Sequence, residues 1–406
     1  MSIFHGIISA VMELIERRRA LSEVSRLSRI YPVVAVLGPR QCGKTTLARQ
    51  FLKLSPLARN SAFFDLEDET DLARLETPKL ALENLRGVVI IDEIQRRPNL
   101  FETLRVLSDR RPIPARFLIL GSASRDLIRQ GSESLAGRIG FVELSPFTAE
   151  EVPEKALRRL WLRGGYPKSF LARKDEESAQ WRKDYISTFL ERDIPALGFR
   201  VPASSLRRFW TMLAHYHGQT FNASEIGQSL GLSDDSMRRY LDILCGAFML
   251  RSLPPWHENL KKRQVKAPKI YFRDSGIFHS LIGCRAEKDV MSHPKLGASW
   301  EGWVIEEVIR ASSADTGEAY FWATHNQAEL DLLLIKNNRR LGYEIKYTDS
   351  PRLTPSMKIA MQDLHLDELL LIFPGKQSFP LADKIRAVGF QEFLRSIPHP
   401  PAISRR

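Results

Sequence analysis

The chain has 406 residues, 43% of them hydrophobic and 27% charged, with 60 Lys and Arg against 48 Asp and Glu for a formal charge of +12. At ~100–200 residues per domain this is a multidomain length, and the composition excludes wholesale disorder and fibrous repeats. No apolar run reaches the ~18 residues of a membrane-spanning helix, so membrane insertion is not expected, and the positive balance favours an anionic partner, DNA first.

Met1 to Ile15 is apolar, yet it has no basic residue ahead of the apolar stretch and carries Glu13, so it predicts an N-terminal helix over 1–22 and not a secretion signal. Cys42, Cys245 and Cys284 are too few for a disulfide framework and lack metal-ligand spacing, which fits a reducing, cytoplasmic setting. His215 and His217 have no partner ligands nearby and read as ordinary polar positions.

Over 23–155, short β-branched runs at 33–37, 88–91 and 117–120, separated by helix-length segments, predict a parallel α/β sheet. After the first run, Gly38-Pro39-Arg40-Gln41-Cys42-Gly43-Lys44-Thr45 fits G-x-x-x-x-G-K-[ST], with Thr46 continuing into a helix. Glycines there let backbone N–H groups close on phosphate oxygens at a helix N-terminus; Lys44 suits the β- and γ-phosphates and Thr45 suits Mg²⁺. Such a loop works through backbone atoms, so Cys42 is tolerated within it. The expected ligand is ATP with Mg²⁺.

Val88-Val89-Ile90-Ile91 then delivers Asp92 and Glu93 to the carboxyl edge of the same sheet, Asp92 for the Mg²⁺ shell and Glu93 for orienting the attacking water. The third run ends in Leu120-Gly121-Ser122-Ala123-Ser124. Ser122 or Ser124 is a candidate γ-phosphate sensor, with a turn or helix cap as the alternative.

The stretch 156–200 is charged, aromatic and helical, broken by Gly164-Gly165-Tyr166-Pro167, and reads as a lid or linker. Over 201–284, Asn222-x-x-Glu225 is a capping-box signal, Ser233 caps a second helix, and Gly231 sits in the turn between them. Ile226, Leu230, Met237, Leu241 and Leu244 have helix-turn-helix spacing, and the strand-like 247–253 behind them predicts a winged helix. Arg238 and Arg239, with Lys261, Lys262 and Arg263, are candidate DNA contacts. Asp234 and Asp235 oppose that role, so a protein-binding module is the other reading.

In 285–395, ahead of a loose tail at 396–406, Glu329-x-Asp331 and Glu344-Ile345-Lys346 lie on strand-like runs around an Asn337-Asn338 turn. Period-2 alternation puts Glu344 and Lys346 on one face. With Glu301 from the preceding helix, these carboxylates and lysine suit metal-dependent phosphodiester cleavage; an inactive fold or a salt-bridge cluster is the alternative.

The chain resembles a large bacterial and archaeal family of AAA-like ATP-binding proteins that carry a C-terminal domain of unknown function. The resemblance rests on Pro32 to Leu47, Ile90-Ile91-Asp92-Glu93-Ile94-Gln95 and Leu120 to Ser124. It continues through Ser134 to Ile139, Leu144 to Phe147, Phe189-Leu190-Glu191-Arg192-Asp193, Tyr271-Phe272-Arg273-Asp274 and Trp300-Glu301-Gly302. It implies a multidomain α/β fold, with a P-loop AAA-like ATPase domain ahead of the winged helix and a C-terminal α/β unit. It further implies Mg-dependent ATP hydrolysis acting as a switch or motor on DNA or another protein.

Two alternatives stay open: a nucleic-acid enzyme with metal-dependent nuclease activity, since the C-terminal set is similar to the core of the PD-(D/E)XK nucleases, and a DNA-binding module without that chemistry. The family resemblance makes Arg138 the arginine expected to neutralise the γ-phosphate, in its own chain or across the interface of a homo-oligomer. Arg125 competes for that role, and a structural salt bridge is the other reading of Arg138.

Overall fold

The computed structural model describes residues 15–55, 60–113, 115–123, 133–196, 201–258, 265–315, 317–325 and 328–398. Most of the expected N-terminal helix lies outside these residues. The helix that is described, Arg18–Ile30, crosses the expected boundary at 22, because Leu21, Val24 and Leu27 recur at helical spacing and are buried against the flank of the first sheet.

That sheet contains β1 (Val33–Leu37), β2 (Ala62–Asp65), β3 (Gly87–Asp92), β4 (Ala115–Gly121) and β5 (Ile139–Glu143) in the order β2-β3-β4-β1-β5, all parallel. Side chains alternate between two cores. Val33, Ala35, Val89, Ile91, Phe117 and Ile119 fill one face, while Val34, Val36, Val88, Ile90, Leu118 and Leu120 fill the other. The two strands that sequence periodicity did not suggest, β2 and β5, are the edges, where burial is only partial and the apolar signal weak. Because β4 lies between β1 and β3, its carboxyl end sits between the loop after β1 and the acids after β3.

The second unit has helices Ala203–His215, Ala223–Leu230 and Asp234–Gly246, with short strands β6 (Gln219–Thr220), β7 (Leu250–Leu253) and β8 (Lys269–Phe272) in the antiparallel order β6-β8-β7. Both expected caps form: the Asn222 side chain accepts the Glu225 N–H at 3.3 Å, and the Ser233 hydroxyl accepts the Ser236 N–H at 3.2 Å. Ile226, Met237, Leu241 and Leu244 are buried, whereas Leu230 is only half-buried.

The segment expected as a lid is helical, but it has no core of its own. Leu157, Leu160, Trp161 and Phe170 join the C-terminal core, while Tyr185, Ile186, Phe189, Leu190 and Ile194 join the core of the second unit. His217 is not the ordinary polar position expected of it. Its ring is buried, with Nδ1 accepting the Phe272 N–H at 3.0 Å and Nε2 lying 3.1 Å from the Ala298 carbonyl. Burial pushes its pKa down to about 3. The ring is therefore a neutral tie between the second and third units.

The third unit is a mixed sheet of β9 (Ala319–Ala323), β10 (Glu329–Lys336), β11 (Arg339–Ile345), β12 (Glu368–Phe373), β13 (Ser378–Ala382) and β14 (Ile385–Gly389), in the order β13-β14-β12-β11-β10-β9. The expected turn forms, with Asn337 and Asn338 at φ of 51° and 60°. Helix Leu296–Ala311 is buried between this sheet and the second unit. No described helix is long and apolar enough to cross a membrane.

Gly302 marks the closest approach of that helix to the second unit: a Cβ there would lie 2.4 Å from His217 Nε2 and 3.1 Å from the Tyr271 ring. Gly302→Ala gains about 1 kcal/mol of helix propensity, but overpacking at about 1–3 kcal/mol and a strained buried hydrogen bond at about 1 kcal/mol outweigh it. We expect a lower urea midpoint for Gly302→Ala. An unchanged or higher midpoint would show that the two units are not in contact at this glycine.

Candidate functional site

Between β1 and helix Lys44–Leu54 the chain folds into a tight loop with Gln41 at φ 61° and Gly43 at φ 105°. A Cβ on Gly38 would sit 2.1 Å from the Leu144 carbonyl, so only glycine fits where the chain after β5 passes the loop. Pro39 and Cys42 are buried and Thr46 is exposed. Arg17, which sequence reasoning did not single out, clamps the loop by donating to the Cys42 carbonyl at 3.2 Å while pairing with Glu151 at 2.5 Å.

Five of the expected residues, Lys44, Thr45, Asp92, Glu93 and Ser122, meet at the carboxyl edge of the sheet. Lys44 Nζ, buried, donates to the carbonyls of Gly38 and Pro39 and to Ser122 Oγ, each at 3.0 Å. Ser122 Oγ in turn faces both Glu93 carboxylate oxygens at 3.1 Å. Thr45 Oγ1 donates to Asp92 Oδ2 at 2.6 Å, and the other Asp92 oxygen accepts the Glu93 N–H at 2.9 Å. Burial pushes the Asp92 carboxyl up, opposed by the Thr45 hydrogen bond. Glu93 sits at φ 54°, ψ 45°, a left-handed conformation that costs energy in a residue with a Cβ. Gln95, which came forward only within the family motif, bonds the Glu93 carboxylate and accepts the Ser122 N–H at 3.3 Å.

A cavity of about 440 Å³ opens beside these groups. Its walls include Glu93 and Ser122 and, from outside the first sheet, Arg192 and Asp193. Arg40 leaves the loop to pair with Asp193 at 2.5 Å and with Glu67.

Arg138 is not brought to this site within its chain. It directly precedes β5, and Ile139 pairs with Val33 at the start of β1, so Arg138 lies at the amino edge of the sheet, about 16 Å from the loop at ~3.3 Å per residue. There it holds Asp109 with two bonds, at 2.6 and 3.1 Å. The salt-bridge alternative is what this geometry contains. Ser124 and Arg125 lie outside the described residues.

A second cluster forms in the C-terminal sheet. Lys346 Nζ lies 3.0 Å from Glu344 and 3.8 Å from Asp331, and Asp331 also accepts the Ile345 N–H at 2.9 Å. Two further residues enter from β8. Lys269, almost fully buried, pairs with Glu329 and lies 3.8 Å from Glu301 and 4.0 Å from Asp331, while the Tyr271 hydroxyl donates to Glu301 at 2.6 Å. Their spacing of two along one strand was legible; the acids they meet, 30 to 62 positions later, were not. One buried oxygen of Glu344 has no hydrogen-bond partner among the described residues. Among the described residues no three His, Cys, Asp or Glu side chains are arranged to hold a metal ion. The cations of this cluster are the two lysines.

Arg238 and Arg239 are exposed on helix Asp234–Gly246, which also exposes Asp234, Asp235 and Asp242, so that face carries no excess of positive charge. Lys261, Lys262 and Arg263 lie outside the described residues.

Family models match in three consecutive blocks: an AAA domain over 31–153, a domain of unknown function (DUF8612) over 154–288, and a second (DUF4143) over 296–393. Uncharacterized proteins of Mycobacterium tuberculosis and Mycobacterium bovis are each 50% identical over 381 residues, covering 94% of this chain and 85% of their own. Among solved structures, a Walker-type ATPase of Pyrococcus abyssi is 16% identical, with 66% of this chain and 96% of that one covered at a TM-score of 0.47. A RuvB variant of Thermotoga maritima is 20% identical, with 58% and 88% covered at 0.29.

The acid cluster sets a pH dependence. Burial, reinforced by the Asp331 charge, raises Glu301 to about 7 and Glu344 to about 8. A raised carboxyl binds its proton more tightly when folded, so its stabilisation is full below the ordinary value of 4.5 and is lost as pH rises through the folded value. Buried His217 and His279 act below their ordinary 6.5, which leaves pH 6.5–8 to these carboxyls and to Glu307, which burial raises to about 7 outside the cluster. Wild-type stability to denaturant should fall across that window, by at most about 1.4 kcal/mol per pH unit for each proton, and Glu344→Gln should flatten the slope. An identical slope in the variant would contradict this assignment.

Proposed function

The chain belongs to the family of proteins that join a P-loop AAA domain to the C-terminal DUF4143 domain, and on that premise we propose that it binds Mg·ATP at residues 38–45 and hydrolyses it to change how it engages a partner. The observation that carries this reading is the unbroken chain from Lys44 through Ser122 to Glu93, with the Thr45–Asp92 pair beside it.

The backbone N–H groups opening helix Lys44–Leu54 supply a field for an anion. Lys44 adds a point charge for the β- and γ-phosphate oxygens. One hydroxyl and one carboxylate, 2.6 Å apart, fit the protein's share of a Mg²⁺ shell, since this ion keeps several waters and takes its other ligands from phosphate. Mg²⁺ at Thr45 and Asp92 supplies neutralisation of phosphate charge. Glu93, oriented by Ser122 and Gln95, positions a water and accepts its proton. Ser122, touching both Lys44 and Glu93, is suited to sense the γ-phosphate.

The helix pair with its Asn222 and Ser233 caps and the sheet behind it support the winged-helix reading of the second unit, and the +12 balance supports DNA as the partner. Metal-dependent cleavage is not part of the proposal. The acids Glu301, Asp331 and Glu344 do not fit a divalent ion: among the described residues no three such side chains are arranged to hold one, and Lys269, Lys346 and Tyr271 lie against them, leaving one Glu344 oxygen without a partner.

Calorimetry tests the reading. Lys44→Ala should weaken Mg·ATP binding by about 10–100-fold, the worth of charge-assisted hydrogen bonds of about 1.5–3 kcal/mol. Glu93→Gln should keep the affinity and lose about 10²–10⁴-fold in turnover. Equal affinity in Lys44→Ala would overturn the site, and wild-type turnover in Glu93→Gln would remove Glu93 as the base.

A further inference from the structure

Residues Phe189–Asp193 form a π-helical turn that interrupts the helix begun at Asp175. Such turns are rare, and they re-aim the side chains they carry. Phe189 is buried with its ring 5.2 Å from that of Trp210, which anchors the turn in the second unit's core. Asp193 is almost fully buried and pairs with Arg40 of the phosphate loop. Arg192 lines the same cavity as Glu93 and Ser122. It is exposed, and among the described residues no hydrogen bond or ion pair holds its guanidinium. The loop's own arginine, Arg40, is already committed to two carboxylates.

We propose that Arg192 is the within-chain arginine that contacts the γ-phosphate of bound ATP, so that the triphosphate ties the π-helical turn to the first sheet and the diphosphate does not. This rests on the ATP-binding reading above. A guanidinium suits the task because its planar fork takes two phosphate oxygens at once and stays charged at every working pH. The turn shares a core with helices Ala203–His215 and Asp234–Gly246, so a contact made only with the triphosphate also biases where the second unit sits. Arg192 is thereby both a catalytic contact and the link from nucleotide state to the partner-binding unit. Arg96, on the cavity wall contributed by the first sheet, is the competing residue.

The experiment uses the full chain carrying Glu93→Gln, in which bound ATP persists, and measures Mg·ATP and Mg·ADP affinities with and without Arg192→Ala. Arg192→Ala should lose about tenfold or more for ATP, the worth of a bidentate charged contact of about 1.5–3 kcal/mol, and keep ADP affinity within twofold. The retained ADP affinity is also the check that the variant is folded. With Glu93 intact, Arg192→Ala should lower kcat by about 10³-fold, and Arg192→Lys should restore only part of it. Equal losses for ATP and ADP, or no loss for either, would overturn the proposal. An ATP-selective loss in Arg96→Ala with none in Arg192→Ala would overturn it in favour of Arg96. Absence of ATP binding with Arg192 intact would instead overturn the ATP reading beneath it.

Discussion

One strand holds the three units in register. Along β8 and the two residues after it, side chains reach in turn to different parts of the molecule. Lys269 meets Glu329 and Asp331 of the C-terminal sheet, Tyr271 meets Glu301 on helix Leu296–Ala311, Arg273 meets Glu143 at the end of β5 and Glu306 on that helix, and Asp274 accepts the N–H groups of Gly165 and Ile277 at 2.8 and 2.9 Å. Burial would raise Glu306, but Arg251, Arg273 and Arg310 around it hold it down to about 2. A buried network of this kind is costly if any member loses its partner, so the units cannot separate piecemeal. The proposed nucleotide site inherits its geometry from this frame, because β5 flanks β1 and the chain after β5 closes over Gly38.

The site itself follows from strand order. With β4 between β1 and β3, Ser122 falls between the loop lysine and the acid pair, close enough to bond to both. Glu93 sits in a left-handed backbone conformation, a local cost, while Ser122 and Gln95 hold its carboxylate by hydrogen bonds. Arg40 and Asp193 then bridge from the loop to the π-helical turn, giving the first sheet a direct electrostatic contact with the helical segment that shares the second unit's core.

Much of this was legible in the sequence where the signal is local. The glycine-lysine-threonine loop, the buried β1, β3 and β4 runs, the Asn222 and Ser233 caps and the Asn337-Asn338 turn each depend on residues within a few positions of one another. What escaped depends on long-range placement. The edge strands β2 and β5 are half-exposed and lack a strong apolar run. Missing β5 hid the location of Arg138, since a residue just before a parallel strand must lie at the amino edge, away from the loop. His217 read as an ordinary polar position because nothing nearby reveals that helix Leu296–Ala311 covers it. In the C-terminal unit, alternation correctly joined Glu344 to Lys346, but the lysine that pairs with the remaining acids and the tyrosine that donates a hydrogen bond to Glu301 come from another unit.

In the proposed arrangement, nucleotide binds between residues 38–46 and the edge carrying Asp92, Glu93 and Ser122, and its γ-phosphate reaches the turn at 189–193. Backbone hydrogen exchange of the full chain, compared without nucleotide, with Mg·ADP and with Mg·ATP in the Glu93→Gln background, tests both halves at once. Exchange should slow at 41–46 with either nucleotide and slow additionally at 189–193 with ATP alone. Unchanged exchange at 41–46 with both nucleotides would contradict it.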